Sequence, residues 1–299
     1  MVLAPLAGYT DLPFRSVVKK FGADLTISEM ISSNALVYKS ARTLKMIEKS
    51  PSEDPYFVQI AGNSVELVRD AVLLLNDVEG IDGIDLNCGC PAPKVFNHGS
   101  GSNLLGDLKK LEEILSTVKK YSKKQYTSAK VRIGVNDKIP VEIGKAVEAC
   151  GVDFVSVHGR TRAGKYKAPV DYDAIKAMKE AISIPVIANG DIKDYDKAKE
   201  VLKYTNADGV MIGRGAIGKP WVFYQLKHGV DNISNDMKKQ IILEHFDAML
   251  EFHGPHGAIM FRKLLHSYSK GYTGANEFRD IVNKISEIDV MRDMIDNFF

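Results

Sequence analysis

Short runs of aliphatic and β-branched residues alternate with longer amphipathic stretches over the first 212 residues of the chain. Runs of four to six residues that are separated by helical patterns are typical of parallel strands in βαβ units. The pattern therefore predicts eight parallel strands. They lie at 2–6, 25–28, 56–60, 83–87, 128–133, 154–158, 185–188 and 209–212.

The stretches between these runs have the period of a helix. In 64–75, Leu67, Ala71 and Leu75 fall on one face, and either Asn63 or Ser64 is placed to cap the first turn. Eight such units predict an α/β protein with a closed (β/α)8 TIM barrel, which needs about 250 residues. An open doubly wound sheet is the alternative, but no long nonrepeating section interrupts the units. The helical period recurs at 109–121, 139–149 and 172–181.

The strand pattern stops at about residue 231. Three helices are predicted beyond it, at 237–252, 258–270 and 276–296, and Gly-rich segments at 254–257 and 271–274 separate them. We therefore expect a barrel domain at 1–230 and an all-α helical domain at 231–299.

The composition is that of a globular protein, with 45% hydrophobic and 26% charged residues. A net charge of +2 is too balanced to indicate a nucleic-acid partner by itself, so any basic surface must be local. Three cysteines do not make a disulfide scaffold. No leader and no apolar run of about 20 residues is evident, which predicts a cytoplasmic enzyme with no membrane contact.

The catalytic and binding residues of such a barrel come from the carboxyl ends of its strands and from the loops that follow them. Polar side chains and glycines lie at the ends of most of the predicted strands, so they should gather on one rim, together with the apolar segment that ends the first strand. The residues are Pro5, Leu6 and Ala7 at the end of the first strand, Gln59 in the third, Asn87 and Cys90 around the end of the fourth, Lys130 in the fifth, His158, Arg160 and Arg162 at and after the end of the sixth, Asn189, Gly190 and Asp191 after the seventh, and Gly213 and Arg214 after the eighth.

The ends of the last two strands have the form used for phosphates. Gly190 and Gly213 let backbone N–H groups approach an anion, and Arg214 can neutralise it. The segment 213–218 also matches G-x-G-x-x-G, but no strand follows it, so a dinucleotide fold is rejected. Gln59 and Lys130 suit a flavin ring, because an amide can pair with its pyrimidine edge and a cation favours its anionic reduced form.

Cys88 and Cys90 form a C-x-C pair, which does not match the duplicated C-x2-C pairs of zinc ribbons, so no metal site is expected. A thiol is largely protonated at neutral pH and can serve as a general acid. Cys90, on a Gly-Cys-Pro loop, is the candidate acid, whereas Cys150 is interpreted as a small buried apolar residue.

Two segments are candidates for RNA contact. The loop at 160–167 carries four cations and a tyrosine in eight residues. In the helical domain, Arg262, His266 and Lys270 recur at a spacing of four and share one face. The alternative for that face is an ordinary solvated surface.

Taken together, the motifs resemble the tRNA-dihydrouridine synthase family, and most closely its bacterial B-type subgroup. The most specific stretch is Asp-Leu-Asn-Cys-Gly-Cys-Pro at 85–91. Supporting stretches lie at 4–11, 129–132, 158–162, 187–192 and 212–221.

The resemblance implies a barrel that holds FMN, a helical domain that binds tRNA, and NADPH as the reductant. It assigns Cys90 as the catalytic acid, Asn87 and Arg162 to the target base, and implies a D-loop uridine near position 17. No protein partner is indicated. The residues that it places around FMN are Pro5, Leu6, Ala7, Gln59, Lys130, His158, Asn189, Gly190, Asp191, Gly213 and Arg214.

Three other functions stay open at this point. A flavin barrel acting on a free pyrimidine would use the same groups, although the helical tail argues against it. An RNA-binding module that helps tRNA to fold would make the reduction secondary. A phosphate-binding isomerase or aldolase without flavin would be colourless.

Overall fold

The computed structural model describes residues 1–299 and contains the predicted barrel. Strand β1 pairs in parallel with β2 and β9, and β2 pairs with β4, so that eight of the nine strands close on themselves. The strands are β1 Val2–Leu3, β2 Leu25–Ile27, β3 Ile31–Ser32, β4 Tyr56–Ala61, β5 Gly83–Cys88, β6 Tyr126–Arg132, β7 Phe154–His158, β8 Val186–Asn189 and β9 Gly209–Ile212.

Helices surround the barrel and continue beyond it. Those of the barrel region are α1 Leu12–Lys20, α2 Ser33–Val37, α3 Ala41–Met46, α4 Val65–Asn76, α5 Pro93–Asn97, α6 Leu108–Tyr121, α7 Pro140–Ala149, α8 Tyr172–Ala181, α9 Tyr195–Thr205 and α10 Val222–His228. The remaining helices are α11 Asn235–His253, α12 His256–Tyr268, α13 Ala275–Val282 and α14 Ile288–Phe298. None of the helices combines the length and apolar composition needed to cross a bilayer.

Side-chain caps fix where several barrel helices begin. Asp107, Asp171 and Asp194 each accept the backbone N–H of the third residue that follows, at 2.8 to 3.1 Å. These contacts satisfy donors that the first helical turn leaves free. The starts of α6 and α8 therefore fall within one residue of the predicted positions.

The structure differs from the predicted elements in several places. The first strand ends at Leu3 rather than at residue 6, because Pro5 has no N–H and the chain turns at Leu6, whose carbonyl accepts the N–H of Thr10 at 3.0 Å. The short strand β3 was not predicted. The single helix expected at 276–296 is interrupted between Val282 and Ile288.

Two large apolar clusters organise the chain. The larger lies in the barrel and between the barrel and its helices. The second is formed mainly by α11 to α14, and it includes Val17 of α1 and Trp221. Trp221 stacks on Tyr268 with ring centroids 6.1 Å apart. The helical segment is therefore packed against the barrel at α1 and at the loop after β9.

Candidate active site

A cavity of about 1030 Å³ opens at the carboxyl ends of the barrel strands. It brings together the site residues predicted above except Arg160 and Arg162. Its walls include Pro5, Leu6, Ala7, Gln59, Asn87, Cys90, Lys130, His158, Asn189, Gly190, Asp191, Gly213 and Arg214.

A chain of amides forms part of the cavity wall. Gln59 donates from Nε2 to the buried carboxyl of Asp85 at 2.7 Å, and its Oε1 accepts Nδ2 of Asn87 at 2.7 Å. Ser128 also donates to Asp85, at 2.6 Å. Burial raises the pKa of the Asp85 carboxyl, while the hydrogen bonds from Gln59 and Ser128 act in the opposite direction. The partners fix which end of the Gln59 amide is the donor, and one N–H of each amide stays available to a ligand.

The backbone around Cys90 is held on both sides. Asn87 Oδ1 accepts the N–H of Cys90 at 2.9 Å, and the hydroxyl of Ser102 donates to the Cys90 carbonyl at 2.8 Å. Arg132 donates from Nε to the preceding carbonyl, that of Gly89, at 2.7 Å. Cys90 is partly exposed and lines the cavity, whereas Cys88 is fully buried. The geometry thus presents the thiol of Cys90 to a ligand and hides that of Cys88.

Lys130 supplies a partly buried cation to the cavity wall. Its ammonium donates to Asn189 Oδ1 at 3.2 Å. Burial, with the neighbouring charge of Arg132, lowers the pKa of Lys130 to about 8. Burial and the nearby cations lower the pKa of His158 to about 2, so this imidazole is neutral and serves as a hydrogen-bonding group.

Glycines and arginines meet at the ends of β8 and β9. Gly190 has φ +136°, and a Cβ there would lie 2.8 Å from Val170, so only glycine fits. Asp191 is also at positive φ. Its carboxylate accepts hydrogen bonds from Arg160 at 2.6 Å and from Arg214 at 2.8 Å. The hydrogen bond from Arg160 lowers the pKa of Asp191. Two guanidinium groups face one carboxylate, which leaves a net positive charge beside Gly190 and Gly213.

Arg162 lies outside the cavity lining. Its guanidinium stacks over the ring of Phe96, 3.8 Å from the centroid, and its buried Nε has no partner. Phe96 belongs to α5, which follows the Cys90 loop. Arg162 is thus placed beside that loop, and its role in holding a base stays a prediction.

The helical face predicted to contact RNA is mostly occupied by other contacts. Arg262 donates from Nε to the Ile285 carbonyl at 3.1 Å, and His266 lies 3.0 Å from Asn283 Oδ1. Both side chains hold the segment between α13 and α14, and contact between this face and RNA stays a prediction. Lys270 is exposed.

Sequence reasoning missed several residues of the cavity. Arg132 lies two residues after Lys130 in β6, in the motif at 129–132 and on the same face of the strand, but it was predicted only as a polar group of the rim and not as a site residue. No site residue was predicted after the second strand, where Met30 lines the cavity. Lys165 and Tyr166 belong to the cationic loop at 160–167, which was predicted to contact RNA and not to line the cavity. No site role was predicted for the other cavity residues, which include Tyr9, Lys193 and Lys219.

The donor set fits a flavin. The cavity offers amides for a pyrimidine edge, a partly buried cation, and a positive end with glycines for a phosphate. A closed parallel barrel with such a cavity at its carboxyl rim defines the class of (β/α)8 oxidoreductases that use a flavin.

Comparisons with known proteins narrow the class. The family model described as dihydrouridine synthase matches residues 2–298. A "Probable tRNA-dihydrouridine synthase" of Helicobacter pylori is 53% identical over 300 residues, which covers 100% of this chain and 92% of the relative. The "tRNA-dihydrouridine synthase B" of Vibrio parahaemolyticus is 39% identical, with 100% and 95% covered. The chain therefore belongs to the dihydrouridine synthase family, and it is a flavin-dependent oxidoreductase.

Solved structures agree on the fold. The old yellow enzyme homologue from Zymomonas mobilis matches with a TM-score of 0.57 at 12% identity, covering 80% of this chain and 91% of that chain. Morphinone reductase matches with a TM-score of 0.55 at 11% identity, with 80% and 88% covered. At these identities the likeness concerns the barrel and not the substrate.

Proposed function

We propose that the protein reduces the C5=C6 bond of a D-loop uridine in tRNA, with bound FMN and with NADPH as the source of electrons. The observation that carries the proposal is the position of Cys90, whose partly exposed side chain lines the same cavity as Lys130 and Gln59. An acid is thereby available next to the groups that suit a flavin ring.

The FMN would be held along the cavity wall. Gln59 would donate to the pyrimidine edge, and Lys130, with Asn189 beside it, would face the part of the ring that becomes anionic on reduction. Pro5, Leu6 and Ala7 would supply the wall near β1. Neutral His158 would contribute a hydrogen bond. The phosphate would lie at Gly190, Gly213 and Arg214, with Asp191 holding Arg214 in place.

The chain's own residues position the uracil and deliver one proton. Reduced FMN held by these residues would supply the hydride for C6 of the uracil. Asn87 offers its remaining N–H to the pyrimidine edge, and Arg162 approaches from the loop after β7. Cys90 donates its thiol proton to C5, and the thiolate left behind regains a proton from water. The product then has one added hydrogen at C6 and one at C5.

The uridine must leave the RNA stack to enter this cavity. The helical domain at 231–299 and the cations of the 160–167 loop would hold the tRNA backbone, so binding should weaken as salt is raised. We place the reaction in the cytoplasm, where tRNA would be available to the enzyme. The proposed target near position 17 rests on the resemblance to the B-type subgroup, and relatives named tRNA-dihydrouridine synthase B are among those similar to this chain.

The test is a visible spectrum of the purified protein under anaerobic conditions, followed by NADPH and then by undermodified tRNA. Flavin bands that bleach with NADPH and return only with tRNA are expected. Flavin that is reoxidised by a free pyrimidine and ignores tRNA would indicate a small-molecule reductase. A folded protein without flavin would overturn the cofactor assignment.

Mapping the dihydrouridine in tRNA treated with the enzyme then tests the target. Reduction at position 17 is expected. Reduction only at another D-loop position would refute the subgroup assignment and leave the chemistry intact.

A further inference from the structure

The turn after β1 forms one wall of the cavity, and it is held at its tip by groups from outside the turn. Within the turn, the Leu6 N–H donates to Thr10 Oγ1 at 2.8 Å, and the Leu6 carbonyl accepts the N–H groups of Tyr9 and Thr10, each at 3.0 Å. These bonds close the base of the turn. They leave the N–H and the carbonyl of Gly8 without partners inside it.

Two charged side chains bind those remaining groups of Gly8. Its N–H donates to the carboxylate of Glu29, which follows β2, and its carbonyl accepts from the ammonium of Lys263 in α12. Gly8 has φ +78°, a conformation that favours glycine. A charged group on each side of one peptide makes two charge-assisted hydrogen bonds, which are stronger than neutral ones.

Lys263 also contacts the next residue. Its ammonium lies 5.0 Å from the centroid of the Tyr9 ring, and Tyr9 both lines the cavity and packs against the apolar cluster of the helical segment. A second contact between the turn and the helical domain lies at the end of the turn, where Nε2 of His253 in α11 is 3.0 Å from the carboxylate of Asp11. The wall next to Pro5, Leu6 and Ala7 is therefore supported by the helical domain.

We infer that Lys263 is a positioning residue, which together with Glu29 sets the shape of the β1 turn and so transmits the docking of the helical domain to the flavin cavity. The inference rests on the proposed function, because it assumes that FMN occupies the cavity. It assigns to the helical domain a role in cofactor binding, in addition to any contact with RNA.

The chain offers a matched control. Lys45 of α3 also bridges to the helical segment, where it donates to the Phe252 carbonyl at 2.6 Å and lies 4.4 Å from the Phe252 ring centroid. Like Lys263 it is an exposed lysine that pairs with a carbonyl and an aromatic ring. It does not line the cavity. Lys45→Met therefore removes an equivalent contact between the same parts of the chain without touching the turn.

The experiment measures the dissociation constant of FMN from the full-length protein by the recovery of flavin fluorescence on dilution. Lys263→Met should weaken FMN binding by about tenfold, the effect of one lost charged hydrogen bond. Lys263→Arg, which keeps the charge and donors, should restore most of the affinity. Lys45→Met should bind FMN as the unmodified protein does.

Several outcomes would overturn the inference. If Lys263→Met retains its FMN affinity but loses tRNA affinity with a salt dependence reduced by about one charge, Lys263 is a phosphate contact. If Lys263→Met and Lys45→Met weaken FMN binding equally, the effect comes from loosened packing of the helical domain on the barrel and not from the turn. If Lys263→Met does not fold, Glu29→Ala decides, because it changes no residue of the helical domain, and unchanged FMN affinity in that variant contradicts the inference. Failure of the unmodified protein to bind FMN would instead refute the proposed function.

Discussion

The side-chain oxygen of Asn87 accepts the backbone N–H of Cys90 at 2.9 Å and that of Gly89 at 3.1 Å. Asn87 is the penultimate residue of β5, so a rigid strand sets the position of the thiol on the loop that follows. The same residue donates to Gln59 on the neighbouring strand β4. One amide therefore links the candidate acid to a group proposed to hold the flavin.

Replacing Asn87 by Ala should slow uridine reduction while leaving FMN bound. The two N–H groups would lose their acceptor and the Cys90 loop would shift, and small misplacements of a reacting group cost on the order of 10²-fold in rate. Single-turnover mixing of the pre-reduced variant with undermodified tRNA measures this step. An unchanged rate would show that Asn87 neither positions Cys90 nor holds the base.

Cys90→Ala tests the proton donor directly. Reduction of the flavin by NADPH should proceed normally, and reoxidation by tRNA should slow by 10²- to 10⁴-fold, roughly the contribution of general acid catalysis. Cys88→Ala is the matched control, because Cys88 is buried and does not line the cavity. Normal turnover of Cys90→Ala would remove the acid role.

FMN affinity should depend on pH through Lys130. The pKa of this ammonium is lowered to about 8, so the group is cationic below that pH and neutral above it in the flavin-free protein. A bound anion favours the cation and raises its pKa, so affinity should be constant below about pH 8 and fall as pH rises beyond it. Titrations of the apoprotein at several pH values measure the effect. Lys130→Met should bind FMN more weakly and lose this dependence, and persistence of the same profile in the variant would assign it to another group.

The barrel was predictable because the period of the apolar residues and the spacing of the strands are local properties of the sequence. Lys130 and His158 were predicted to line the cavity because the carboxyl ends of barrel strands meet at one rim, and both residues do line it. The two-residue strand β3 is too short to show a period. The break before Ile288 contains neither Gly nor Pro, and it coincides with the contact that Arg262 makes to the Ile285 carbonyl. Contacts of that kind depend on tertiary packing, as does the pairing of Lys263 with Gly8 across 255 positions.

Asp191→Asn should lower FMN affinity, although it removes a negative charge next to the proposed phosphate site. In the structure the carboxylate pairs with Arg160 and Arg214, so its loss would release Arg214 from the phosphate end. We expect about a tenfold weakening, and a smaller effect for Asp191→Glu. Arg214→Gln provides the comparison. Because Asp191 acts through Arg214, the double variant Asp191→Asn/Arg214→Gln should bind FMN no more weakly than Arg214→Gln alone. Additive losses would show that the two residues act independently.

The buried pair of Arg15 and Glu53 should contribute to stability through its charges. Arg15 Nε lies 2.8 Å from Glu53 Oε1, and the two side chains are 1% and 0% exposed. Glu53 also accepts from Thr26 at 2.7 Å, and Arg15 donates to the Thr10 carbonyl at 3.1 Å, next to the turn that carries Gly8. Glu53→Gln keeps the size of the side chain but leaves a buried guanidinium without its counter-charge.

The free energy of unfolding should therefore fall by about 3–5 kcal/mol in Glu53→Gln. Urea unfolding followed by circular dichroism measures the change. The double variant Arg15→Met/Glu53→Gln removes both charges and should be more stable than the sum of the single losses predicts, because neither partner is left unpaired. Simple additivity would mean that the two charges do not stabilise one another. Arg15 also donates to the Thr10 carbonyl, next to the turn that carries Gly8, so Arg15→Met should weaken FMN binding as well. Unchanged flavin affinity in that variant would mean that Arg15 contributes only to stability.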